Sequence, residues 1–103
     1  MKNTDLSILF DIIMDKWATF IGSMDIIIII YIINEIIKSD SHILRKTLKD
    51  IAEGSHTSFP SVYKCLEKAT CFEILEVRQD ESISRIQFGK KLRLQLIKLG
   101  IKR

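Results

Sequence analysis

Within the eleven residues from Ser58 to Lys68, the chain carries Ser58, Phe59, Ser61, Tyr63, Lys64 and Lys68, which are hydroxyls, aromatic rings and amines. On a helix starting after Ser58 these side chains avoid the apolar positions Val62, Leu66 and Ala69, which recur at i, i+4 and i+7 and pack inward. Hydroxyls and amines on the outward side of such a helix can hydrogen-bond base edges and pair with phosphates, and this chemistry suits a major groove. The bland alternative is two ordinary helices in an all-α domain.

The elements that would position these groups carry signals at their boundaries. Thr47 is a cap for a short helix whose inward positions are Leu48, Ile51 and Ala52, and Gly54 is expected to supply the positive-φ residue that ends it. Ser58 caps the next helix, and Pro60 is tolerated only in its first turn, where no intrahelical N–H is needed. Residues 47–71 therefore read as a helix-turn-helix. After Thr70 the period changes: Ile74, Leu75 and Val77 precede a polar Gln79–Ser82 turn, and Ile83, Ile86 and Phe88 follow, which predicts a β-hairpin over 74–88. Gly89 opens a basic C-terminal helix over 89–103, with Leu92, Leu96 and Leu99 on one face.

This order resembles the MarR and SarA winged-helix DNA-binding proteins from Ile26 to Leu99: a long apolar helix, TLKDIAEGS, SFPSVYKCLEKA at the recognition helix, a strand ending in Arg78, the acidic-tipped wing RQDES and a glycine-started terminal helix. The family's wing often carries Asp-x-Arg, whereas here Asp80 is followed by Ser82 and the nearest arginine is Arg85. At 103 residues the chain is closer in size to the TubR proteins, which resemble it in SFPSVYKCLEKATCFEIL and bind centromere-like repeats for plasmid or phage partition. The resemblance implies a mainly α fold with a small β-hairpin (α+β), a winged helix-turn-helix.

Charge is unevenly distributed. Residues 1–40 carry three lysines against six acids, whereas residues 41–103 carry 13 Lys or Arg against seven acids. The tail from Lys90 to Arg103 holds six bases and no acid, a pattern that attracts phosphate irrespective of sequence and equally describes a solvated helix face.

The run from Ile26 to Ile33 contains eight consecutive apolar residues, too few for the about 20 that a membrane-spanning helix requires. Its length and the Ser23-Met24-Asp25 start, with Ser23 as cap, favour a buried helix, although five consecutive isoleucines have strand propensity. A helix apolar all round must be covered on every side. Leu6, Leu9, Ile13, Trp17 and Phe20 of a preceding helix are the first cover and a second subunit is the next, so residues 1–40 are expected to form the core of a homodimer. The alternative is a monomer in which these two helices cover each other.

Enzyme chemistry finds little support. His42 and His56 lie in connections without a carboxylate or nucleophile partner at a familiar spacing, no glycine-rich phosphate loop is present, and His56, Cys65 and Cys71 do not make a zinc pattern. No catalytic residue, metal or cofactor is expected. Cys65 and Cys71 are too differently directed for an intramolecular disulfide, which fits a reducing compartment. Cys65 reads as a packing residue, with a redox-sensing thiol as the alternative. The acidic residues at the N-terminus, in place of a basic start, argue against a secretory leader, and the expected location is cytoplasmic.

Together these observations predict one domain over 1–103 that binds double-stranded DNA as a homodimer at a repeat or palindromic site, as a transcriptional regulator. Ser58, Phe59, Ser61, Tyr63, Lys64 and Lys68 are the expected major-groove side, supported by Lys49, His56, Arg78 and Arg85 from the backbone and wing. One alternative is a partition adaptor that coats tandem repeats and recruits a filament-forming partner protein. Another is a module that binds protein only, compatible with the acidic Glu67, Glu73 and Glu76 around the second helix.

Overall fold

The computed structural model describes the backbone of residues 3–100 and the side chains of residues 7–100, so the side chain of Leu6, and Lys102 and Arg103, lie outside it. The chain runs α1 (Asn3–Lys16), α2 (Ser23–Lys38), β1 (Leu44–Thr47), α3 (Leu48–Ser55), α4 (Phe59–Cys71), β2 (Leu75–Asp80), β3 (Ile83–Phe88) and α5 (Lys90–Lys98). The result is an α+β fold of five helices and a three-stranded antiparallel sheet in the order β1-β3-β2.

The isoleucine-rich run is helical, and α2 is the centre of the core. Ile28, Ile29, Ile32, Ile33 and Ile36 are all fully buried, against Leu9, Ile13 and Trp17 from α1 and its C-terminal turn and Ile51, Val62 and Leu66 from α3 and α4. Its cover is incomplete: Met24 and Ile27, one turn apart, are about half exposed. Phe20, expected to complete the inward stripe of α1, lies in the connection after it, exposed, with its ring 5.6 Å from that of Phe72. Leu99 likewise departs from the Leu92 and Leu96 stripe, because α5 ends at Lys98 and the turn leaves Leu99 outside.

Ser23 is not the cap of α2. Gly22 holds that position, and its N–H donates to the carboxylate of Asp25 at 2.9 Å, the acidic third helical residue reaching back over the first turn. Thr47 and Ser58 do cap α3 and α4, accepting from the N–H groups of Asp50 (3.0 Å) and Ser61 (3.3 Å). Pro60 sits in the first turn of α4, as its missing N–H requires.

Gly54 does not end α3 by positive φ. His56 takes the left-handed conformation there (φ 57°), and Gly54 lies inside the helix, where a Cβ would overlap Oη, Cζ and Cε1 of Tyr31. The glycine leaves room for the close approach of the Tyr31 phenol from α2 to α3. The strand β1 lies outside the expected elements; it pairs with β3 from Leu44↔Ile86 to Thr47↔Ile83. Gln79 and Asp80 belong to β2 rather than to the turn, which shrinks to Glu81 and Ser82 with Glu81 at φ 59°.

Candidate nucleic-acid interface

The α3–α4 unit is held by its connection. Ser55 Oγ donates to the Ile51 carbonyl at 2.7 Å and lies 2.8 Å from Thr57 Oγ1, and Thr57 N–H donates to the Ala52 carbonyl at 2.9 Å. These bonds fix the short turn through His56, whose side chain is exposed. Val62, Cys65, Leu66 and Ala69 fill the inward side of α4. Pro60, Lys64, Glu67 and Cys71 are all exposed and share the opposite ridge by their i, i+4, i+7, i+11 spacing.

Tyr63 leans to one side of that ridge. With Leu66, Glu67, Thr70 and Cys71 it forms one wall of a groove of about 440 Å³ whose other wall is Leu48, Val77 and Gln79. Nearer the N-terminus of α4, Phe59 and Lys49 share a depression of about 300 Å³ with Thr47, Leu48, Gln79 and the hairpin-turn residue Ser82. The tip of the hairpin therefore stands beside the start of α4. Phe59 and Tyr63 are each about half exposed.

Two of the expected residues are occupied otherwise. Lys68 does not stand free on the outward side: its ammonium lies 3.0 Å from the carboxylate of Asp25, whose side chain is only 9% exposed. Asp25 sits at the start of α2 and draws the amine across the helix pair. Ser58 Oγ accepts the Ser61 N–H and lies 2.8 Å from Ser61 Oγ, so its hydroxyl serves the cap.

Arg78 and Arg85 are brought together, but not with α4. In the sheet Leu75, Val77 and Gln79 of β2 face the helices, so Glu76, Arg78 and Asp80 point to the outer face. On β3, Ser84, Ile86 and Phe88 are buried, which places Arg85 on that same outer face, directly opposite Arg78. Lys49, Phe59, Tyr63 and Lys64 thus share the α4 side, and the two arginines occupy the reverse of the sheet.

Sequence reasoning passed over Gln79 and Ser82, whose position beside Phe59 depends on the exact hairpin register. It also passed over Lys46. This lysine, inward on β1, donates to Tyr31 Oη and Glu35 Oε1, both at 3.0 Å, and so ties the sheet to α2. The Tyr31 and Glu35 hydrogen bonds hold the Lys46 ammonium above its ordinary range, and the bond from Lys46 holds the Glu35 carboxyl below its own. Neither side chain has a buried, unpaired atom.

Cys65 is fully buried, and its thiol lies 3.5 Å from the backbone carbonyl of Asp25. Burial, reinforced by the Asp25 charge, pushes its pKa up to about 12, which keeps it protonated and unreactive. Among the described residues no group of His, Cys, Asp and Glu is arranged to hold a metal ion, and no helix is long and apolar enough to cross a membrane. No protein-family model matches the chain, and no curated protein is significantly similar to it.

Proposed function

We propose that this protein is a winged helix-turn-helix that binds duplex DNA with sequence preference, as a homodimer, and acts as a transcriptional regulator. The observation that carries the reading is the exposed N-terminal half of α4 standing beside the hairpin tip, with Phe59 and Lys49 meeting Gln79 and Ser82 across one depression. In this reading α4 enters the major groove from its N-terminal end. Tyr63, Lys64 and Ser61 reach base edges, Lys49 and His56 approach the backbone, and the hairpin turn lies against the neighbouring groove. Lys68, already paired with Asp25, shapes the helix position rather than the base contacts.

A second subunit fits the uncovered apolar side chains of the N-terminal helices. Phe10 and Met14 on α1 and Met24 and Ile27 on α2 are each exposed by about two-fifths or more and lie one turn apart on their helices. Burying them between two copies would present two α4 helices to half-sites separated by about 34–36 Å, one turn of duplex.

The test is fluorescence anisotropy across a salt series with DNA from upstream of the protein's own gene and with a scrambled duplex. Preference for the upstream DNA at physiological salt is the expected result. Lys64→Ala with Ser61→Ala should remove about 1–3 kcal/mol of that preference for each base pair that is no longer read, while leaving the dimer intact. Full retention of preference by this double variant would overturn the placement of α4 in the groove. A single footprint marks a regulator, and an array of protected repeats marks a partition adaptor instead.

A further inference from the structure

The outer face of the sheet carries a row of arginines that the α4 surface does not use. Arg45 on β1, Arg85 on β3 and Arg78 on β2 are in register, Arg45 opposite Arg85 and Arg85 opposite Arg78. Arg45 and Arg78 are exposed and Arg85 is partly so. With strands about 4.8 Å apart, the three backbone positions span about 10 Å in a straight line.

Like charges directly opposite each other on a sheet are destabilising. Here two such pairs adjoin, and among the described residues none of the three guanidiniums is in an ion pair. Two carboxylates share the face. Glu76 faces Arg93 of α5 at 3.8 Å, and Asp80 lies at the hairpin end of β2, opposite Ile83. Among the described residues neither carboxylate is in an ion pair with an arginine of the row. Between Arg78 and Arg85 the surface dips into a depression of about 270 Å³, lined also by Ile43, Glu76 and Gln87.

We propose that Arg45, Arg85 and Arg78 form a second nucleic-acid contact, a sequence-independent seat for backbone phosphates on the side of the sheet away from α4. Each guanidinium offers five N–H donors in a fixed fork that suits phosphate oxygens, and phosphate between neighbouring arginines removes their repulsion. The row is linear and open, so it matches a chain of charges rather than one enclosed anion. An outer-face seat lets the protein hold a second duplex segment while α4 engages the first. The proposal rests on the duplex-binding reading only for the source of the phosphates.

The experiment compares the protein with its Arg45→Gln/Arg78→Gln/Arg85→Gln variant on a duplex of arbitrary sequence across a salt series. Removal of three arginine–phosphate pairs should lower the salt slope by about 2.7 and the affinity at about 0.1 M salt by about 500-fold. Thermal unfolding should show the variant at least as stable as the parent. Should it not fold, Arg45→Gln and Arg78→Gln singly, each expected to lower the slope by about 0.9, provide the same test. An unchanged slope overturns the proposal, as does a variant that loses binding of inorganic tripolyphosphate while retaining that of the duplex. If the parent shows no preference for upstream DNA but its slope still depends on the arginines, the specific-regulator reading fails and this one stands. If the preference is present and the slope does not depend on them, the reverse holds.

Discussion

Replacing Gly54 with alanine tests the contact that sets α3 against α2. In an unconstrained helix this change stabilises by about 1 kcal/mol, because alanine loses less backbone entropy. Here the new Cβ would overlap the Tyr31 phenol, and the ring has to leave. Its departure breaks the 3.0 Å hydrogen bond from Lys46. A bond to a charged donor contributes about 1.5–3 kcal/mol, and disturbing a packed ring costs about 1 kcal/mol more. Set against the propensity gain, the net loss is about 2 kcal/mol, or about 8–16 °C in Tm for a chain of this size. Urea and thermal unfolding of Gly54→Ala, Tyr31→Ala and the double variant form the assay. In the Tyr31→Ala background the overlap is gone, and Gly54→Ala should be neutral or stabilising by up to about 1 kcal/mol. A Gly54→Ala protein as stable as the parent would refute the close-approach argument.

Two further outcomes are expected from the titratable groups. Glu35 is held below its ordinary pKa of 4.5, chiefly by the hydrogen bond from Lys46, so the unfolded chain binds more protons in that range. The stability it contributes is present above about pH 4.5 and is lost as pH falls through the folded value, and urea unfolding between pH 3 and 6 should show a shallower acid loss for Glu35→Gln. Because Cys65 is buried with its pKa raised to about 12 while Cys71 is exposed, iodoacetamide at pH 8 should label Cys71 alone in the folded protein and both thiols in urea, read by peptide mass spectrometry. Equal labelling rates in the folded state would contradict the packing of Cys65 beneath Asp25.

What the sequence made legible was local. The hydroxyls of Thr47 and Ser58 act within three residues, and the apolar stripe of α4 repeats within one helix, so each is readable where it stands. What escaped depends on partners far along the chain. Lys68 is taken from the outward side by Asp25, 43 residues away, and Gly54 is required by Tyr31, not by the turn after it. Four residues, Leu44-Arg45-Lys46-Thr47, carry too short an alternation to announce a strand, and β1 exists because β3 offers it an edge. Without β1, Arg45 is hidden too. The inward or outward aspect of Arg78 and Arg85 was in principle readable from alternation with Val77 and Ile86, but only once the strands were known to pack one face on helices.

Thr47 has two duties, as the last residue of β1 and as the cap of α3, with no loop between them. Its strand partner, Ile83, lies 36 residues later, and closing a loop of that length costs about 3 kcal/mol in chain entropy. The α3–α4 pair packs on α2, which precedes it in the chain, so it can form before β1 has any edge to join. During synthesis the strand leaves the ribosome ahead of the helix it introduces, yet it must wait until β3 has emerged. Assembly of the sheet therefore follows that of the helix pair, and the hairpin tip reaches its place beside α4 only once β3 has been made.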